Sequence, residues 1–232
     1  MRYLLILVAA TVSLSMLLAR QDAAYAIDGK AIVESECASC HNMIGPAPTT
    51  VDGVIGRKAP DLFYAGSKFQ REWLIGWLQA PTQIRSAGTM FLNHIVSDDG
   101  KDRIAEESLK SCAAKLSPEA AQAVADHLMT LKDETMKVGI VDPTKKFSMS
   151  KARLLFTKQL PCSGCHQIRF GKRVVGGVSG PLLTEAGQRL KSDWIYARIE
   201  DPQHWDPETW MPKIGMSHEK RELLSLLISS MQ

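Results

Sequence analysis

The chain has 232 residues, and its 45% hydrophobic and 23% charged residues are ordinary for one large or two small globular domains, which excludes a fibrous or disordered chain. The net charge of +3 is too small to point to nucleic acid, and no interleaving of aromatic and basic residues supports such a partner. The charge is unevenly spread: residues 27–140 hold 12 basic and 15 acidic side chains, and residues 141–232 hold 14 and 9.

In chain order, residues 1–26 read as an export signal. Arg2 opens it, Tyr3 to Ala19 is almost wholly apolar, and Ala24-Tyr25-Ala26 is an A-x-A cleavage site that would leave Ile27 at the mature start. An uncleaved N-terminal anchor is the alternative, because an apolar run of 17 residues stands at the lower limit for crossing a bilayer. Asp28 is placed to cap a short helix running into Cys37.

Cys37-Ala38-Ser39-Cys40-His41 follows, and the same pattern recurs as Cys162-Ser163-Gly164-Cys165-His166. In Cys-x-x-Cys-His the two thiols add to the vinyl groups of a porphyrin, and the histidine becomes the proximal ligand of its iron. A redox dithiol and half of a zinc site are the other readings. Two copies, each with histidine directly after the second cysteine in a chain that reads as exported, favour two covalently attached haem c groups. Four of the five cysteines are thereby used and only Cys112 is left over, so no disulfide framework is implied.

The second half echoes the first. Pro60, Trp73, Pro81 and Met90 match Pro181, Trp194, Pro202 and Met211, each shifted by 121 positions, while the Cys-x-x-Cys-His motifs are shifted by 125. Each copy predicts helix, motif, loop, helix, Met loop, helix. Trp73, Leu74, Trp77 and Leu78 share a helical face. Ser117-Pro118-Glu119 opens a helix through about Leu131, with serine as cap and proline in the first turn. Ser148 or Ser150 caps a helix toward Leu160, and Ser217 opens the last helix with Leu223, Leu224, Leu227 and Ile228 on one face. No alternating strand pattern stands out. Residues 91–116 form an insertion of the first copy, read as a solvated loop with a helical turn, or else as a lid on the first haem or a packing element between the halves. The resulting division is 27–133, a linker at 134–147, and 148–232.

His41 and His166 are the candidate proximal ligands. Met90 and Met211, at matched places in the repeat, are the candidate distal ligands; His/Met ligation gives a high-potential, six-coordinate iron. The chain resembles the class I cytochromes c, as a di-haem member with two tandem domains. The residues that carry the resemblance are the two motifs, Gly180-Pro181-Leu182 and Met211-Pro212. The Trp-rich stretch before each Met is similar to cytochrome c subunits of bacterial respiratory chains. The resemblance implies an all-α fold, each domain wrapped around one covalent haem. It also implies that the carbonyls of Pro60 and Pro181 orient the proximal histidines. The first copy departs from the pattern, with Ala59 before the proline and Phe91 after the Met.

The function expected is single-electron transfer between respiratory redox partners, a membrane respiratory complex among them, in the periplasm, either soluble or attached to the outer face of the inner membrane. Arg169, Lys172 and Arg173 are a candidate docking patch. Two rival readings stand beside it: a di-haem enzyme oxidising a small sulfur compound such as thiosulfate, with Cys112 as a haem ligand, and a fixed cytochrome subunit of a membrane oxidoreductase. An electron carrier is favoured over an enzyme, because two His/Met irons leave no open site and no other catalytic constellation is present.

Overall fold

The computed structural model describes residues 27–232; the expected export signal or anchor, residues 1–26, lies outside the described residues. The first half opens with α1 (Gly29–Ile32), whose first-turn N–H groups of Lys30 and Ala31 donate to the Asp28 carboxylate at 2.9 and 3.1 Å. A π-helical turn carries the chain on to Cys37. Next come α2 (Val51–Ile55), α3 (Ala65–Lys68) and α4 (Arg71–Gln79). The insertion then forms β1 (Ile95–Asp98) and β2 (Lys101–Ile104), and α5 (Pro118–Thr130) closes the half.

The second half repeats this plan. It runs through α6 (Met149–Leu154), a second π-helical turn (Leu155–Gln159) and α7 (Cys162–Cys165). A hairpin of β3 (Ile168–Phe170) and β4 (Arg173–Val175) follows, then α8 (Ala186–Arg189), α9 (Ser192–Glu200) and α10 (His218–Ser229). Of the two serines that could cap α6, it is Ser148 that accepts from the Lys151 N–H. Helices α3 and α4 sit 121 positions before α8 and α9, so the periodicity read in the sequence is a repeat of structure as well.

The all-α architecture expected from the sequence is corrected. Two antiparallel two-stranded sheets are present, pairing Ile95–Asp98 with Lys101–Ile104 and Ile168–Phe170 with Arg173–Val175. Their cause is local turn chemistry. Asp99 and Gly100 adopt φ of 48° and 70°, and Gly171 adopts 61°, backbone that reverses a chain with the twist of a hairpin. β1 and β2 face solvent along most of their length and show no buried alternation, while β3 alternates from buried Ile168 to exposed Arg169 to half-buried Phe170 over only three residues, too few to stand out as a pattern.

The buried core is continuous across both halves, from Val33, Leu74 and Val124 to Phe156, Trp194 and Leu227. At its centre Phe69 and Leu190 form an antiparallel bridge. The Gln70 N–H donates to the Arg189 carbonyl and the Lys191 N–H to the Lys68 carbonyl, both at 2.9 Å. Phe69 and Leu190 are repeat mates, and the 121-residue register carries one of these hydrogen bonds onto the other, so the halves meet about a local two-fold. Trp205 stacks beside it on Tyr64 and Trp194, with ring centroids 5.5 and 5.8 Å away. The linker is tied to the second half by Asp193, whose carboxylate accepts from the N–H groups of Gly139, Ile140 and Val141 at 2.7–2.9 Å.

Two glycines at matched positions allow each short helix to press on the end of its closing helix. A Cβ on Gly66 would lie 2.3 Å from the Met129 carbonyl oxygen, and one on Gly187 would lie 2.0 Å from that of Ser229. Gly187→Ala should therefore destabilise the fold by on the order of 2–3 kcal/mol, because the obstacle is backbone and has no rotamer to yield. Gly76→Ala, in the exposed interior of α4 with nothing within 4 Å of the new methyl, should stabilise by roughly 0.5–1 kcal/mol through helix propensity. Urea denaturation of the two variants checks the opposite signs, and equal effects would show that the close approach does not matter.

Candidate functional site

Each motif histidine is fixed by the segment that follows it. The Nδ1–H of His41 donates to the Pro60 carbonyl at 2.7 Å, and that of His166 to the Pro181 carbonyl at 2.9 Å. A carbonyl can only accept, so each Nδ1 carries the proton and each Nε2 keeps its lone pair. Burial also holds both imidazoles below the ordinary histidine range, with the carbonyl bond opposing in part, which keeps them neutral and competent as ligands. At the second site the approach is close. A Cβ on Gly180 would stand 2.8 Å from both Nδ1 and Cε1 of His166. In the first copy Ala59 occupies the matched position, and the Pro60 carbonyl forms the shelf in register with that of Pro181.

Cys37 and Cys162 are half-buried, whereas Cys40 and Cys165 are exposed. Burial pushes the thiols of Cys37 and Cys162 up, the reverse of the depressed values that activate a redox dithiol. Among the described residues no three His, Cys, Asp or Glu side chains gather to hold a metal ion. Cys112 is exposed.

A cavity of about 360 Å³ lies between the halves. His166, Cys162, Cys165, Pro181 and Met211 all line it, so the structure brings the candidate residues of the second site together. Met90 and Pro60 reach the same cavity from the first half, with Met90 only 8% exposed. His41, Cys37 and Cys40 are not among its lining residues. Phe91 and Trp210, which adjoin the two methionines, meet edge to face at 5.2 Å across the seam, and Trp210 is half-exposed there.

The insertion bears on the Met90 loop. Gly88 turns with φ of +75°, and the His94 ring packs against it. The His94 Nδ1 lies 2.7 Å from the Ser108 hydroxyl, which itself donates to the Ala105 carbonyl at 2.6 Å. The hairpin tip is solvated, while its base braces the loop before Met90. Sequence reasoning also left out the charged groups of the cavity. Arg57 lies 3.2 Å from each of Asp61 and Asp206, which joins the halves by an ion network. Lys68, Arg85, Arg189 and Arg198 line the same space. Lys68 and Arg189 are repeat mates, and a basic residue held in step in both copies was the signal that could have found them.

Comparison with protein-family models, curated proteins and solved structures finds no match. The tandem class I cytochrome c architecture is therefore not carried further, and the motifs and their surroundings stand on their own chemistry. That chemistry fits a covalent haem at the second site. Two thiols, an imidazole with a free Nε2 and a thioether line one cavity, with cationic side chains facing it.

Gly88→Ala should cost about 2 kcal/mol, because the left-handed backbone disfavours a side chain and a Cβ would lie 2.3 Å from the His94 ring. Chemical denaturation measures the loss. His94→Ala in the same chain should recover the part due to the ring, and no recovery would assign the cost to backbone strain alone.

Proposed function

We propose that this chain is an exported di-haem c-type cytochrome that passes single electrons between respiratory redox partners. One observation carries the reading: His166, ring-fixed by the Pro181 carbonyl, lines the same cavity as Cys162, Cys165 and Met211. The first centre is proposed on the matching register of Cys37, Cys40, His41 and Met90, and on the matching bond from His41 to the Pro60 carbonyl. Haem would supply an iron that cycles between Fe(III) and Fe(II).

The residues have distinct tasks. The cysteines anchor the group, and the proline carbonyls set tautomer and ring orientation and raise the basicity of Nε2. The methionine thioethers are soft donors that favour the reduced iron. The continuous core would hold the two centres in one framework, so that little reorganisation would accompany each electron. No helix of the described residues is long and apolar enough to cross a membrane. A periplasmic place, soluble or held at the outer face of the inner membrane, rests on the N-terminal segment. The partners would be redox proteins, a membrane respiratory complex among them. The hairpin carrying Arg169 and Arg173, with Lys172 in its turn, projects exposed basic charge suited to steering an acidic partner.

The enzyme reading needs Cys112 at an iron. Met90, buried and lining the cavity at the repeat-matched ligand position, favours the carrier.

Met211→Ala should open the second iron, lower its potential and admit carbon monoxide in the reduced protein. Cys112→Ser should leave both haem spectra and electron exchange nearly unchanged. Visible spectroscopy of the oxidised and reduced variants checks both. An unaltered spectrum and potential in Met211→Ala removes Met211 as ligand, and a moved haem band or a lost thiosulfate-oxidising activity in Cys112→Ser replaces the carrier with the enzyme.

A further inference from the structure

The charged lining of the shared cavity is unbalanced. Five basic side chains enter it: Arg57, Lys68 and Arg85 from the first half, Arg189 and Arg198 from the second. Two carboxylates face them, Asp61 and Asp206. Arg57 engages both, and Arg198 stands 4.0 Å from Asp206. Arg189 Nη2 donates to the Leu182 carbonyl at 2.8 Å. Lys68 sits over the rings of Tyr64, Phe69 and Trp194 at 5.4, 4.8 and 5.0 Å. Among the described residues, neither Lys68 nor Arg85 pairs with a carboxylate. Burial, and then repulsion from neighbouring arginines, pushes Lys68 well below the ordinary lysine range, and Arg85 down to about 10. Burial, and then Arg85, does the same to Arg189. Unpaired charge in such a setting is costly, and a cavity that keeps it is matched to an anion.

Arg85 reaches this place by crossing between the halves. It belongs to the first half, in the loop between Pro81 and Met90. The preceding carbonyl, of Ile84, accepts from the Leu182 N–H at 2.9 Å. Leu182 directly follows the proline whose carbonyl holds His166. That bond lays the Met90 loop on the histidine shelf of the other half, with Arg85 in the cavity that holds His166 and Met211. Arg85 also leads the basic side chains whose charge bears on His166.

We infer that Arg85 is a tuning residue supplied by the first half to the second centre. With Lys68 and Arg189 it seats the propionate carboxylates of the group held by His166 and Met211, and its charge favours that centre's reduced state. The inference rests on the di-haem reading. A guanidinium meets a carboxylate in a two-point, charge-assisted pair. An added electron makes the centre more negative, so a fixed cation beside it lowers the energy of the reduced form. A free oxyanion such as thiosulfate presents the same recognition chemistry, and the test separates the two.

The experiment is a redox titration of the full chain, produced in a host that matures c-type cytochromes, with the second centre identified by its displacement in Met211→His. At fixed ambient potential, Arg85→Gln should shift the oxidised-to-reduced ratio of the second centre about tenfold toward oxidised, which is 59 mV for one electron. Arg85→Lys should recover most of the shift, and the first centre should move less. Lys68→Gln should act in the same direction, and it decides the matter if Arg85→Gln does not accumulate. A Gln variant with both haems attached and an unchanged titration overturns the inference and leaves the cytochrome reading intact. A spectral shift of the parent protein with millimolar thiosulfate, abolished by Arg85→Gln while the anion-free titration is unchanged, assigns the seat to a free oxyanion and also overturns it. A parent protein without covalent haem overturns the cytochrome reading itself.

Discussion

The antiparallel exchange between Lys68–Gln70 and Arg189–Lys191 is the contact on which the arrangement depends. Because it is centred on the repeat mates Phe69 and Leu190, one short stretch of backbone relates the halves by a local two-fold and gives them a common core. Everything at the candidate site is referred to this seam. Lys68 and Arg189 arrive in the cavity as a matched pair. Tyr64, Trp194 and Trp205 pack beside it. The Met90 loop is brought across to the His166 shelf by the Leu182 N–H and the Ile84 carbonyl.

The seam also explains why the two halves are alike without being equivalent. Both have a proline carbonyl on the motif histidine and a glycine that lets the short helix press on the closing helix. The insertion gives the first half a braced Met loop that leans outward onto its partner, while the second half passes from Met211 to its closing helix in a few residues. The cavity accordingly collects the second site's residues in full and the first site's in part. Arg57 with Asp206 is a further cross-half tie, and its geometry needs both copies of the repeat in place.

Much of this was legible in the sequence because it rests on local rules. Asp28, Ser117 and Ser217 cap the helices they were expected to cap, and Ser148 is the one of two candidate serines that caps α6, since a short oxygen-bearing side chain satisfies first-turn N–H groups wherever the chain turns into a helix. The 121-residue register placed Pro60 with Pro181 and Met90 with Met211. The first hairpin was missed because its exposed strands show no alternation of buried residues, although Asp98-Asp99-Gly100 carries a turn signal, and the second because three-residue strands are too short to show a period. The cation cluster was missed for another reason. Arg85 and Arg198 have no basic counterpart in the repeat, and only the fold of one half against the other brings them to one space.

The central claim is chemical: each Cys-x-x-Cys-His motif of this chain carries a covalent haem. Intact mass spectrometry of the chain, exported from a host that attaches c-type haem, tests it most directly. The account predicts the mass of the chain from Ile27 plus two haem groups, retained after denaturation. A chain that leaves the same host with one haem or none contradicts it.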